Sequence, residues 1–120
     1  MAEKQKEKRY DLEDRTFNYA KRVRNFIKKL SKDLINFDDS KQLLRSSGSV
    51  GANYIEANES LGKKDLIMRV RISRKEAKES SYWLKLFETE DKNLNQERIK
   101  LYNESIELMK IFGAILEKLK

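Results

Sequence analysis

The chain contains no proline and only four glycines among its 120 residues, so few positions can interrupt a helix. Charged residues make up 39% of the composition, which suits long helices with one face in water. Strand signals are weak, because only three valines occur and no stretch of six or more residues alternates cleanly between apolar and polar side chains. The sequence therefore predicts an all-α protein.

Apolar side chains recur at steps of three and four in four segments, which places them on one face of a helix in each case. The predicted helices cover residues 14–34, 40–60, 64–88 and 96–119. Candidate N-cap residues precede three of these helices, namely Asp11 or Asp14, Asp38 or Asp39, and Asn93 or Asn95. Short connections, among them a turn at residues 36–39, favour an antiparallel up-down-up-down four-helix bundle.

The first and last helices are expected to bury clear apolar stripes. In the first helix the stripe consists of Phe17, Ala20, Val23, Ile27, Leu30 and Leu34. In the last helix it consists of Ile99, Tyr102, Ile106, Met109, Phe112 (or Gly113), Leu116 and Leu119.

Residues 46–53 are the hardest part of the chain to interpret. By propensity they form a loop, since each glycine costs a helix roughly 1 kcal/mol relative to alanine. The helical period nevertheless continues through them, in a row made of Leu43, Ser47, Val50, Tyr54 and Ala57. We therefore predict a helix with small side chains at its middle, which would let another helix approach closely. Two short helices around a loop are the alternative.

The domain organisation and the broad class of protein follow from length and composition. Residues 1–9 are polar and charged and have no apolar period, so they are predicted to form a flexible arm or a solvated helical extension. Residues 10–120 form one domain. The chain has no His and no Cys, which excludes disulfides, thiolate chemistry and His general bases. No apolar run approaches the roughly 20 residues that span a bilayer. A non-enzymatic, cytoplasmic protein without cofactor or metal is expected.

The positive charge is concentrated in two blocks. Residues 1–30 carry a net charge of +5 and residues 61–80 carry +4, out of +7 for the whole chain. The first basic row consists of Lys21, Arg24 and Lys28. The second basic row consists of Arg71, Arg74, Lys75 and Lys78. Helical spacing puts each row on one face, as a phosphate-binding surface requires. These seven residues are the candidate nucleic-acid contacts, and solvated helix faces with pairs inside one helix are the alternative.

The segment from Gln42 to Ala57 has an unusual pattern. An Arg is followed by small residues, then by Ser, an apolar and a small residue, Asn, and Glu-Ala; the corresponding positions are Arg45, Ser49, Asn53 and Glu56. This pattern resembles the central signature of a bacterial four-helix-bundle family, the proteins encoded in 23S rRNA intervening sequences. The resemblance covers about residues 10–118. One departure is Ala57, where many relatives carry Gly.

The resemblance implies a fold, an assembly and a set of partners. It implies an antiparallel four-helix bundle that assembles as a ring-like homopentamer and has no known enzymatic activity. The accessory proteins of diversity-generating retroelements look similar in fold, and they bind nucleic acid and a reverse transcriptase through a basic surface. RNA or DNA, a reverse transcriptase or a ribonucleoprotein, and other copies of this chain are therefore the expected partners.

The signature residues Arg45, Ser49, Asn53 and Glu56 lie three or four positions apart and share one side of the predicted helix. Polar groups next to small residues can form hydrogen bonds across a helix interface and fix its register. We expect them to act at a helix or subunit interface, with a ligand or catalytic site as the minor alternative. Trp83 is expected to make packing or subunit contacts rather than to stack on bases. The predicted function is association with nucleic acid through a basic surface, and a protein-binding scaffold is the alternative.

Overall fold

A computed structural model describes the backbone of residues 2–120 and the side chains of residues 11–120. The described chain consists of four α-helices and contains no strand: α1 (Ala2–Lys28), α2 (Leu34–Asn58), α3 (Lys63–Leu86) and α4 (Lys92–Lys118). Helix α1 packs against α2 and α4, and α3 packs against the same two helices, so α1 and α3 are diagonal neighbours. The bundle measures 47 × 23 × 19 Å. The predicted all-α four-helix bundle is confirmed.

The connection between α1 and α2 comes earlier in the chain than predicted. Asp33 is the N-cap of α2, and its carboxylate accepts a hydrogen bond from the backbone N–H of Asn36 at 2.8 Å. Residues 36–39 therefore lie in the first two turns of α2, and the predicted turn at these positions is wrong. Asp38 and Asp39 do not cap the helix, because a residue closer to the true end of the connection supplies the carboxylate.

The predicted caps of the first and last helices are also wrong, because both helices begin earlier in the chain than predicted. Asp91 caps α4 and accepts from the backbone N–H of Leu94 at 3.1 Å, so Asn93 and Asn95 lie inside the helix. Helix α1 begins at Ala2, which places Asp11 and Asp14 inside it as well. The side chains of the predicted arm, residues 1–9, lie outside the described residues, and its flexibility stays a prediction.

Helix α2 continues without a break through the glycine- and serine-rich segment, as predicted. All members of the predicted row are buried, namely Leu43, Ser47, Val50, Tyr54 and Ala57. Close approach of α1 explains why small residues are needed here. A Cβ atom added to Gly51 would lie 2.9 Å from the hydroxyl oxygen of Thr16 on α1.

The buried stripe of α1 differs from the predicted one. It consists of Leu12, Thr16, Tyr19, Val23 and Phe26, and buried Leu30 follows just after the end of the helix. Phe17 and Leu34, which were expected to face the core, are 61% and 78% exposed. Thr16 can occupy the core because its hydroxyl donates to the carbonyl oxygen of Leu12 at 2.9 Å, which removes the cost of burying a polar group.

The buried stripe of α4 is also displaced. Its members are Leu94, Leu101, Ser105, Leu108 and Phe112. Of the predicted stripe only Phe112 is fully buried, and Ile99 is 44% exposed. The other predicted residues lie half-buried along the flank of the helix. Ser105 explains the wrong prediction, because a buried polar residue at the centre of the observed stripe interrupts the apolar spacing on which the prediction was based.

A layer of hydroxyl groups crosses the core, with one residue from each helix. Tyr19 of α1 pairs with Ser105 of α4, and Ser46 of α2 pairs with Ser80 of α3 at 2.8 Å. Burial raises the pKa of Tyr19 to about 12, although hydrogen bonds to Ser105 and Ser80 oppose the shift. Every buried side-chain nitrogen and oxygen among the described residues has a hydrogen-bond partner. The layer therefore fixes helix register without leaving unsatisfied groups in the core.

Candidate nucleic-acid interface

The first basic row lies beside the groove between α1 and α2. Lys21, Arg24 and Lys28 are all exposed and have no ion-pair partner among the described side chains. The Arg24 guanidinium donates to the carbonyl oxygen of Ala20 at 3.2 Å. It also lies over α2, because a Cβ atom added to Gly48 would be 3.8 Å from one of its terminal nitrogens.

The second basic row lies on the water-facing side of α3, and its member Arg74 borders the groove between α3 and α4. Its four members, Arg71, Arg74, Lys75 and Lys78, are exposed and form no ion pair with any described side chain. The Arg74 guanidinium extends over α4, where a Cβ atom added to Gly113 would lie 3.6 Å from its Nε atom. Lys85, seven residues after Lys78, is exposed on the same flank of α3. Lys85 was not among the residues predicted from the sequence, although its heptad spacing was a usable signal.

Apolar and aromatic side chains of α4 line the other wall of this second groove. Arg98 marks the side of α4 that faces α3, since its guanidinium donates to the carbonyl oxygen of Leu84 at 3.1 Å. Tyr102 and Ile106 follow Arg98 at steps of four and are half-buried. The groove thus combines a cationic wall from α3 with a partly apolar wall from α4.

The two basic rows do not meet on one chain. The first row borders the α1–α2 groove, and Arg74 of the second row borders the α3–α4 groove. These grooves lie on opposite sides of the bundle, because α1 and α3 are diagonal neighbours. A surface that uses both rows therefore requires more than one subunit.

Arg45 joins α2 to α3. One terminal nitrogen of its guanidinium lies 3.2 Å from the Glu76 carboxylate, and the other contacts Glu79. Trp83, predicted at an interface, donates its indole N–H to the same Glu79 carboxylate at 3.0 Å. Burial raises the pKa of Glu79, but the hydrogen bonds from Trp83 and Arg45 outweigh it, so the net pKa is lowered. The hydrogen bond to Glu79 likewise raises the pKa of Arg45.

The other signature residues divide into two groups. Asn53 accepts a hydrogen bond from Arg69 of α3 at 3.1 Å and donates to the backbone carbonyl of Ser49 at 2.9 Å. Glu56 is exposed and makes no ion pair with a described side chain. Arg45 and Asn53 therefore link α2 to α3 within one chain, whereas Glu56 and the Ser49 hydroxyl are not part of that link. Glu76 and Glu79, the carboxylates that complete it, were not singled out from the sequence.

Two kinds of feature are absent from the part of the chain that the structure describes, namely a metal site and a membrane-spanning helix. Among the described residues, no group of three or more His, Cys, Asp or Glu side chains has an arrangement that would hold a metal ion. None of the described helices is both long and apolar enough to cross a membrane.

The fold and these surfaces define a small four-helix-bundle protein with cationic grooves on opposite sides. The family model described as 23S rRNA-intervening sequence protein matches residues 8–114, and the chain belongs to this family. The chain is similar to a crystal structure of a protein of unknown function from the S23 ribosomal protein family of Bacteroides thetaiotaomicron. That structure has a TM-score of 0.79 and 32% sequence identity, and the match covers 92% of this chain and 98% of that chain. No curated protein matches the chain.

Proposed function

We propose that this protein is a non-enzymatic, cytoplasmic RNA-binding bundle whose principal RNA contact is the second basic row. The observation that carries the proposal is the arrangement of Arg71, Arg74, Lys75 and Lys78, four exposed cations on one face of α3 that form no ion pair with the side chains of residues 11–120. The description of the family, which names 23S rRNA intervening sequences, supports RNA as the nucleic acid.

The chemistry of the groove favours weak and largely sequence-independent binding. Each phosphate neutralised by Lys or Arg releases condensed counterions, so affinity falls steeply with salt. Tyr102 on the opposite wall offers a ring on which an unpaired base can stack, a contact that tolerates any base.

A homo-oligomer, with five subunits as the resemblance implies, is part of the proposal. A single chain offers few phosphate contacts, and several copies would multiply weak contacts through effective concentration. The alternative is a protein-binding scaffold in which the charge serves solubility.

The test is a salt titration of RNA binding, measured by fluorescence anisotropy with the full chain and a fluorescein-labelled structured RNA and single strand. The variant Arg74→Glu/Lys78→Glu should bind at least about tenfold more weakly, with a salt slope reduced by roughly 1–2. The control Lys92→Glu/Lys100→Glu changes the net charge equally at exposed positions of α4 and should bind like the parent chain.

Two results would overturn the proposal. Absence of salt-dependent binding by the parent chain would favour the scaffold. An equal loss in both variants would show that overall charge, rather than the second basic row, attracts RNA.

A further inference from the structure

The groove between α1 and α2 exposes large apolar side chains that the proposed RNA contact does not use. Leu34, Phe37 and Ile55 of α2 are 78%, 62% and 49% exposed. With Leu44 and Gly48 they follow heptad spacing, and Gly48 lies next to Arg24 of α1, so this stripe borders the groove. Helix α2 therefore has a second apolar face besides the one buried in the bundle.

One end of the groove contains a cavity. It has a volume of about 620 Å³, and its lining is mainly apolar, with Ile27 and Leu30 on the α1 side and Leu34 and Phe37 on α2. Lys28, Lys32 and Asp33 also line it. A cavity of this size accommodates one or two large aliphatic or aromatic side chains of a partner.

The groove is also free of negative charge along most of its length. Residues 15–32 and 40–55 contain no Asp and no Glu. The exposed cations next to it are Lys21, Arg24, Lys28 and Lys41, none in an ion pair with a described side chain. The ammonium groups of Lys21 and Lys41 lie 5.6 and 5.1 Å from the ring centres of Phe17 and Phe37. Carboxylates occur only toward the two ends. Asp33 is occupied as a helix cap and Glu13 binds Asn58, whereas Asp38 and Glu56 are exposed next to Phe37 and Ile55.

We propose that the α1–α2 groove binds an acidic amphipathic α-helix of a partner protein. Apolar side chains of that helix would enter the cavity and contact Phe17 and Ile55, while flanking carboxylates would pair with Arg24 and the neighbouring lysines. The distance from Leu34 to Ile55 along α2 is about 32 Å at 1.5 Å per residue, which corresponds to a partner helix of about six turns.

The observations favour this occupant over nucleic acid. Leu34 and Ile55 are aliphatic, and their burial is rewarded by another apolar surface rather than by phosphates or stacked bases. The proposal does not rest on the proposed RNA contact, which lies on the other side of the bundle.

The experiment uses the full chain and a fluorescein-labelled 22-residue helical peptide with Leu at the heptad core positions and Glu at the flanking positions. Fluorescence anisotropy should show saturable binding. Arg24→Glu and, separately, Phe37→Ser should weaken it at least about tenfold, and both changed side chains are exposed, so folding should be retained. The matched controls are Lys100→Glu and Leu61→Ser, an exposed cation and an exposed apolar residue elsewhere, and both should bind like the parent chain.

Three further measurements would reveal a different occupant of the groove or a different basis for binding. A peptide with Lys in place of Glu should bind at least about tenfold more weakly, and equal binding would overturn the charge argument. Displacement of the peptide by RNA would make the groove a nucleic-acid site. If sedimentation shows that Phe37→Ser lowers the parent chain's own assembly state and the peptide does not bind, the groove is covered by a second copy. Each of these results would overturn the proposal.

Discussion

Two glycines of α2, three residues apart, lie in different packing environments. At Gly51 the close approach of α1 requires the missing side chain, because an added Cβ atom would lie 2.9 Å from Oγ1 and 3.1 Å from Cβ of Thr16. At Gly48 an added Cβ atom would meet only the flexible end of Arg24, at an ordinary contact distance of 3.8 Å. Gly51 is thus required by packing, whereas nothing in the bundle core requires Gly48.

Alanine should therefore have opposite effects on stability at these two positions. Gly48→Ala should raise the free energy of unfolding by about 0.5–1 kcal/mol, since alanine restricts the unfolded chain and favours the helix. Gly51→Ala should lower it by about 1–3 kcal/mol, because α1 must move to relieve the clash with Thr16. Urea denaturation followed by circular dichroism measures both changes. A change of the same sign at both positions would contradict the assigned packing.

At the scale of the helices, the number of helices and their order could be predicted from the sequence. The face that each helix buries was predicted less accurately. Helix α2 could be predicted because its buried row, from Leu43 to Ala57, keeps helical spacing through the glycines. The stripes of α1 and α4 could not, because the core accepts Thr16, Tyr19 and Ser105 once their hydroxyls are paired. Apolar spacing alone then selects a neighbouring stripe that is partly exposed.

For the candidate site too, some features could be predicted from the sequence and others could not. The two basic rows could be recognised within single helices, since spacing determines which residues share a helix face. Their separation to opposite sides could not, because it depends on which helices become diagonal neighbours in the bundle. The partners of Arg45 were equally hidden, since Glu76 and Glu79 are 31 and 34 residues away in the chain.

The Arg45 ion pairs should stabilise the packing of α2 on α3 without determining assembly. Arg45→Ala should lower the free energy of unfolding by about 1 kcal/mol, a modest value because the Arg45 side chain is 50% exposed. The lowered pKa of Glu79 means that its contribution is present above pH 4.5, its ordinary pKa, and is lost as the pH falls below that value. The stability of Arg45→Ala should consequently depend less on pH between about 5 and 3 than that of the parent chain.

Chemical denaturation across this pH range measures the effect of Arg45→Ala, and Arg45→Ala/Glu79→Gln completes a double-mutant cycle. Light scattering provides the second readout. The molar mass of the Arg45→Ala variant should equal that of the parent chain, because both carboxylate partners of Arg45 belong to the same chain. A change in mass would assign Arg45 to a subunit interface, the other role that its position in the signature suggested.

The molecule as a whole has two distinct cationic sides. The α3–α4 side pairs cations with half-buried Tyr102 and Ile106, whereas the α1–α2 side pairs them with a cavity and strongly exposed Leu34 and Phe37. The smallest dimension of the bundle is 19 Å. It exceeds the Debye length of about 8 Å at physiological ionic strength, so charges on one side are largely screened from ligands on the other.

If each side has its proposed ligand, RNA and the acidic helical peptide should bind at the same time and independently. At about 0.15 M salt, saturating RNA should change the Kd of the peptide by less than about twofold, because the ligands share no contact residue and their charges are screened. Arg74→Glu/Lys78→Glu should weaken RNA binding alone, and Arg24→Glu should weaken peptide binding alone. Two-colour anisotropy with separately labelled ligands measures both affinities in one sample. A loss of both ligands in either variant would mean that the two cationic sides form one composite surface between subunits rather than two separate sites on each chain. Strict competition without such a loss would mean that RNA binds in the α1–α2 groove.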